Sequence, residues 1–249
     1  MPHRLDLAAL DPPVVHETLT TRTLQFAIGP IQSRMQLGQP DALDLDYTRT
    51  MMGFLLFDGA PRRLGMIGLG GGSLAKFCHR QLPGAHLTVV EINPQVIALR
   101  DSFGVPPDGP RFEVVCADGA RFVRDTAQRF DVLLVDGFDA DGLPLRLCSQ
   151  AFYDDCLDVL VPGGLLVANL HADHPAYPQQ IERIRRSFSA ALFVADPQDG
   201  SNSIVFASKG DALHRPLGVA PRRPAGLRHE AWPALRATFA QLLAARAAA

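Results

Sequence analysis

The sequence predicts an α/β fold, a doubly wound, mostly parallel sheet preceded by a small N-terminal module. Three observations predict it. Six short apolar runs alternate with helical segments between Arg63 and Lys209. Those runs are nearly continuous in Val, Ile and Leu, as strands covered on both faces require. A glycine-rich turn, IGLGGGS at 67–73, joins the first run to the first helix, and glycine there lets backbone approach a ligand closely. With 249 residues and 47% hydrophobic content, the chain can bury one core of that size.

Taken in order, residues 1–60 form the leading module. TLQFAIGPIQSRMQL (23–37) reads as one or two short strands about Gly29-Pro30, and DLDYTRTMMGFLLF (44–57) carries apolar residues at helical spacing. The main unit, 61–212, has strands at LGMIGLG (64–70), HLTVVEI (86–92), RFEVVCA (111–117), FDVLLVD (130–136), GLLVANL (164–170) and SIVFAS (203–208). Helices are expected near 73–82, 94–103, 119–128, 149–160 and 178–190. Pro94 suits a first helical turn, and VPGG (161–164) reads as a helix stop followed by a strand start. Repeated β-α units of this spacing imply right-handed crossovers. The last unit, 213–249, is a Pro- and Arg-rich connector and the helix HEAWPALRATFAQLLAARA. Its Trp232, Leu235, Phe239 and Leu242 share one face, which is expected to dock on the main unit.

Composition narrows the function. A net charge of -2 gives no electrostatic case for nucleic acid or an anionic membrane surface. No run approaches the ~20 apolar residues of a bilayer span, and MPHRLDLAALDPPVV does not read as a signal peptide. The four cysteines stand apart without a CxxC pair, as reduced packing residues of a cytoplasmic protein do. No metal site is expected; His171 and His174 read as a polar loop.

The candidate site lies at the strand tips. The glycine turn (Gly68, Gly70, Gly72), Glu91, Asp118 with Gly119, and Asp136 all end strands at the carboxyl edge, where open α/β sheets bind ligands. Glu91 follows Gly72 by 19 residues, a spacing that suits a carboxylate accepting ribose hydroxyls. In RFDVLLVDGFDADGLP (129–144) a buried strand delivers Asp136, Asp139 and Asp141 together. That charge would repel a diphosphate and hold a cationic nucleoside such as a sulfonium. Each acid taken singly also reads as a helix cap or turn residue, and Asp141, before Gly142, is assigned to a turn.

The ordered segments IQSRM (31–35), DYTRTMM (46–52), MIGLGGGSL (66–74), VVEIN (89–93), ADGARFV (117–123), FDVLLVDGFD (130–139), SQAFYDDCLDVLVPGGLLVAN (149–169) and VFASKG (205–210) resemble the spermidine synthase (polyamine aminopropyltransferase) family. The resemblance implies a Rossmann-like, methyltransferase-type fold and a homodimer. It implies decarboxylated S-adenosylmethionine as co-substrate and a putrescine-like amine as acceptor. By this resemblance Glu91 binds the ribose, Ile92 packs on adenine, Asp118 accepts the adenine amino group and Gln32 lies near the nucleoside. Tyr47 stands beside the acceptor amine, Asp136 is base and anchor, and Asp139 is the second acid of the pair.

Three departures stand out. The family's GGGDGG loop has an aspartate for the aminopropyl amine, and GLGGGS has none. Thr48-Arg49 replace the residues that follow the family's tyrosine. The polyamine-lining Tyr and Trp have no counterpart in DPQDGSNSIVF (196–206). The sequence therefore leaves two alternatives: a methyltransferase using S-adenosylmethionine itself, and a non-catalytic nucleoside-binding protein.

Overall fold

The structure is a computed structural model that describes residues 10–26, 33–138, 143–197 and 202–248. The chain opens with a three-stranded antiparallel sheet: β1 (Pro13–Glu17), β2 (Thr21–Phe26) and β3 (Ser33–Gln36). The expected turn at Gly29-Pro30 lies outside the described residues. The apolar segment after it becomes α1 (Asp46–Met51) followed by a 3-10 turn, Met52–Leu56. Thr48, Thr50, Met51, Met52, Phe54 and Leu55 are buried.

The main sheet is built from five parallel strands: β4 (Arg63–Ile67), β5 (His86–Glu91), β6 (Phe112–Cys116), β7 (Phe130–Val135) and β8 (Leu160–His171). Two further strands, β9 (Leu192–Ala195) and β10 (Asn202–Ser208), complete it antiparallel, giving the order β6-β5-β4-β7-β8-β10-β9. Strand residues alternate between two cores, as the pleat demands. Leu64, Met66, Val89, Val132, Leu134, Val167 and Phe206 face one core. Ile67, Val90, Leu133, Val135, Leu166, Ala168 and Val205 face the other.

Helices cover both faces. On the first lie α2 (Ser73–Gln81), α3 (Pro94–Ala98) and the C-terminal α7 (Trp232–Ala248), whose Leu235, Phe239 and Leu242 are buried, with Trp232 packed against them. Gly53 makes α7's approach possible, because a Cβ there would meet Leu242 Cδ1 at 2.5 Å and Phe206 Cζ at 2.9 Å. On the second face lie α4 (Gly119–Asp125), α5 (Gln150–Asp158) and α6 (Tyr177–Ser187).

Three local expectations are revised. Strand β8 begins at Leu160 and runs through VPGG, with Gly163 at φ +82° and a register shift against β7 between Phe130 and Val132. The stretch 94–103 is helical only to Ala98, and the chain then turns so that Phe103 packs into the core. Strands β1 and β9 were not anticipated.

Candidate active site

The sheet order reverses between β4 and β7, so the connections leaving those strands depart to opposite faces and open a crevice at their carboxyl ends. A cavity of about 850 Å³ fills that crevice. It is lined by Tyr47, Gly68, Gly70, Glu91, Ile92, Gly119 and Asp136 among the expected residues. Leu10, Asp11 and Phe26 of the leading segment close it from above. The Asn93 side chain ties that segment down by donating to the Asp11 carbonyl at 2.9 Å.

The two central carboxylates are held differently. Glu91 ends β5 and is 8% exposed. Its Oε2 accepts the Leu69 amide at 2.9 Å and its Oε1 accepts the Asn93 amide at 2.8 Å. It therefore fixes the glycine turn from below while lining the cavity. Burial pushes its carboxyl up from the usual range, against the backbone amides of Asn93, Leu69, Gly70 and Ile92.

Asp136 follows the last residue of β7. Its Oδ1 accepts Asn169 Nδ2 at 2.8 Å and its Oδ2 accepts the Tyr47 hydroxyl at 3.2 Å. Withdrawal from water raises its carboxyl, and those two donors oppose the rise. Gly68 is what lets the β4 and β7 tips meet. Its φ is +97°, and a Cβ would lie 2.2 Å from the Asp136 carbonyl oxygen. No side chain fits there.

Other expected residues stand apart. Asp118 caps α4, its Oδ1 accepting the Ala120 and Arg121 amides at 2.9 and 3.3 Å, and its Oδ2 lies 3.5 Å from Arg146 Nε. Asp118 is not among the cavity-lining residues, whereas Gly119 and Arg146 are. Gly72 precedes α2 with φ +71° and presses on Val105, which a Cβ would meet at 2.3 Å; it too lies off the cavity wall. Gln32 and Asp139, and with them Asp141, fall in 27–32 and 139–142, outside the described residues.

Sequence reasoning passed over Asn169, Phe138 and His171. Asn169 is the one polar residue in GLLVANL, and that interruption of an apolar strand was the available signal. Phe138 and His171 stack with ring centroids 4.4 Å apart and line the cavity beside Asp136, with His174 nearby. The HADH loop is therefore part of the cavity wall. Burial lowers His171 from the usual imidazole range, with smaller opposed effects from His174 and Asp173. It presents a neutral ring to the cavity at neutral pH.

A cavity that brings Glu91 at the tip of β5 and Asp136 at the tip of β7 onto one wall suits chemistry between two small polar molecules. The comparisons point the same way. Residues 45–198 match the spermine/spermidine synthase domain. The chain is 37% identical over 195 residues to a polyamine aminopropyltransferase of Neisseria meningitidis serogroup A, covering 78% of this chain and 74% of the relative. It is 39% identical over 194 residues to the Chromobacterium violaceum polyamine aminopropyltransferase, with the same coverage of 78% and 74%. Two solved structures share the fold. A probable spermidine synthase from Corynebacterium glutamicum has a TM-score of 0.67 at 24% identity, covering 79% of this chain and 76% of its own. Human methyltransferase-like protein 13 in complex with SAH has a TM-score of 0.61 at 21% identity, covering 80% and 93%.

Proposed function

The chain belongs to the spermine/spermidine synthase family, and we propose that it moves the aminopropyl group of decarboxylated S-adenosylmethionine to a small putrescine-like alkyl amine, with Asp136 as base. The observation that carries this reading is the placement of Asp136. It sits where β4 and β7 diverge, held by Tyr47 and Asn169, in the same cavity as Glu91.

The chemistry follows from that placement. An alkyl amine has a pKa of about 10, by analogy with lysine, so its nitrogen is mostly protonated at neutral pH. Asp136 anchors the ammonium and takes a proton from it. The freed nitrogen lone pair attacks the carbon beside the sulfonium. The N–C bond forms as the C–S bond breaks, the bonding pair returns to sulfur, and methylthioadenosine leaves. Burial helps here, since a carboxylate raised above its ordinary range is a stronger base. Tyr47 orients the carboxylate, and Glu91 and Ile92 take the nucleoside. Asp139, at the second position of the D-x-x-D pair, binds the acceptor's nitrogen, Gln32 lies near the nucleoside, and Asp118 contributes through the turn that carries Gly119. Most of the acceleration comes from alignment of nitrogen, carbon and sulfur. None of these steps calls on a metal.

The glycine turn bears on the donor. Aligned from Gly68, the acid of the family's loop falls at Gly71, where a Cβ would lie 2.6 Å from Ser33 Oγ and 2.9 Å from Phe103 Cδ1. An aspartate has no room there. The Ser33 and Ser73 hydroxyls, 3.3 Å apart, occupy this end of the cavity instead. That neutral end is the observation favouring the second reading, a methyltransferase whose intact S-adenosylmethionine brings its own carboxylate. Thermal shift separates the two. Decarboxylated S-adenosylmethionine and methylthioadenosine should raise the melting temperature more than S-adenosylmethionine does. The reverse ranking makes the methyltransferase the better reading, and stabilisation by none of them would leave a non-catalytic protein.

A homodimer is part of the same proposal. Strand β1 is a sheet edge with Val14 38% and Val15 37% exposed, a surface that invites a second chain. Four free cysteines, three of them buried, suit a reducing, cytoplasmic setting. Among the described residues no helix is long and apolar enough to cross a membrane.

A further inference from the structure

We propose that Asn202 is a positioning residue for the transfer, acting through Asn169 to fix which oxygen of Asp136 is offered to the acceptor amine. The proposal rests on the reading of Asp136 as base. It lies beyond residue 198, where the match to the family's domain ends.

The geometry is a chain of two amides ending on the carboxylate. Strands β8 and β10 pair with Ile204 opposite Asn169 and Asn202 opposite His171, so Asn202 and Asn169 are diagonal neighbours on one face. Asn202 Nδ2 donates to Asn169 Oδ1 at 2.8 Å, and Asn169 Nδ2 donates to Asp136 Oδ1 at 2.8 Å. A side-chain amide accepts at one end and donates at the other. With its oxygen engaged by Asn202, Asn169 cannot turn round and present that oxygen to the carboxylate, where it would repel. Asn169 is 2% exposed, so solvent has little access to take Asn202's place. Asp136 Oδ1 is thereby committed to β8. Oδ2 is instead approached by the hydroxyl of Tyr47 from α1, itself a residue of the cavity wall. The other titratable groups of the wall are Asp11 of the leading segment, Glu91 on β5, Arg146 after β7, His171 on β8, and Asp173 and His174 just after it.

The test uses the full chain with Asn202→Leu and Asn202→Asp, two substitutions of similar size to asparagine. Leucine removes the donor and adds no charge. Aspartate can only accept, which forces Asn169 to donate to it and to turn its oxygen toward Asp136. Steady-state kinetics with decarboxylated S-adenosylmethionine and putrescine are measured beside a ¹³C-carboxyl NMR titration of Asp136, assigned with Asp136→Asn. Both variants should melt near the wild type and bind methylthioadenosine equally well. Each should lose about ten- to a hundredfold in kcat, with the amine KM moving by no more than about twofold. Asp136 should titrate at higher pH in both. A wild-type Asp136 titration in both folded variants overturns the proposal, whatever the turnover. Absence of turnover in the wild-type enzyme would instead reject putrescine or the transfer reaction, and the titration still decides Asn202's role.

Discussion

Asp136 meets two opposed demands, since the burial that makes it a better base also makes its charge costly to the fold. Its folded pKa lies above the unfolded value of 3.8, so the native state holds its proton longer than the unfolded chain does. Stability from this group is therefore present at low pH and lost as pH rises past 3.8 through the raised value. Asp136→Asn keeps a group that can accept from Asn169, and it should melt higher than wild type at pH 7, with the gap closing in acid. A lower melting temperature at pH 7 would contradict this account of the site. Lys76 gives the companion case. It is 1% exposed, its Nζ donates to the Phe103 carbonyl at 2.7 Å, and burial lowers it from 10.5 to about 8. The unfolded chain holds this proton longer, so wild type should gain stability relative to Lys76→Met as pH rises from about 8 toward 10.5. Parallel pH profiles in calorimetry would reject it. At this scale Asp136 and Glu91 were legible because several successive apolar strands end in an acid at the same edge of the sheet. Asp118 and Glu91 look alike in sequence, yet one caps a helix and the other faces the cavity. That difference depends on how far each strand extends, which local pattern does not encode. Asn169 was passed over because its partners, Asp136 and Asn202, are 33 residues away on either side.

The elements converge where β4 and β7 part, and Gly68 is the contact that permits it. Gly68→Ala would place a methyl 2.2 Å from the Asp136 carbonyl oxygen at φ +97°, a strain of about 1–3 kcal/mol before any displacement of the strand tips. We expect a melting temperature several degrees lower, about what that energy implies, and turnover reduced more than nucleoside affinity, because the tip that moves carries Asp136. Unchanged kinetics in a folded Gly68→Ala protein would show that the tips are not coupled. Most of the main strands were readable because burial on both faces leaves them continuously apolar. Strand β9 was not, because LFVA is four residues long and starts within a few residues of the end of α6. Strand β1 was not either, because PVVHE is five residues long, starts on a proline and lies exposed at a sheet edge, so no buried face patterns it. VPGG, read as a helix stop ahead of the strand, misled because proline and glycine are usually breakers, whereas here β8 has already begun at Leu160 and they fall at its register shift against β7.

For the whole molecule, the leading module and α7 share one core with the sheet's first face, so both ends of the chain buttress the wall that carries Tyr47. The exposed edge of β1 is expected to pair with a second chain. Light scattering should give twice the 27.0 kDa of the chain, and Val14→Glu with Val15→Lys should shift it toward the monomer. A wild-type monomer at assay concentration would remove the dimer from the proposal. The central claim is tested most directly by one assay: aminopropyl transfer from decarboxylated S-adenosylmethionine to putrescine, measured with the wild type and Asp136→Asn beside calorimetric binding of methylthioadenosine. Loss of turnover by about a hundredfold or more, with nucleoside affinity kept, is the result expected. Equal turnover in the two proteins would contradict it.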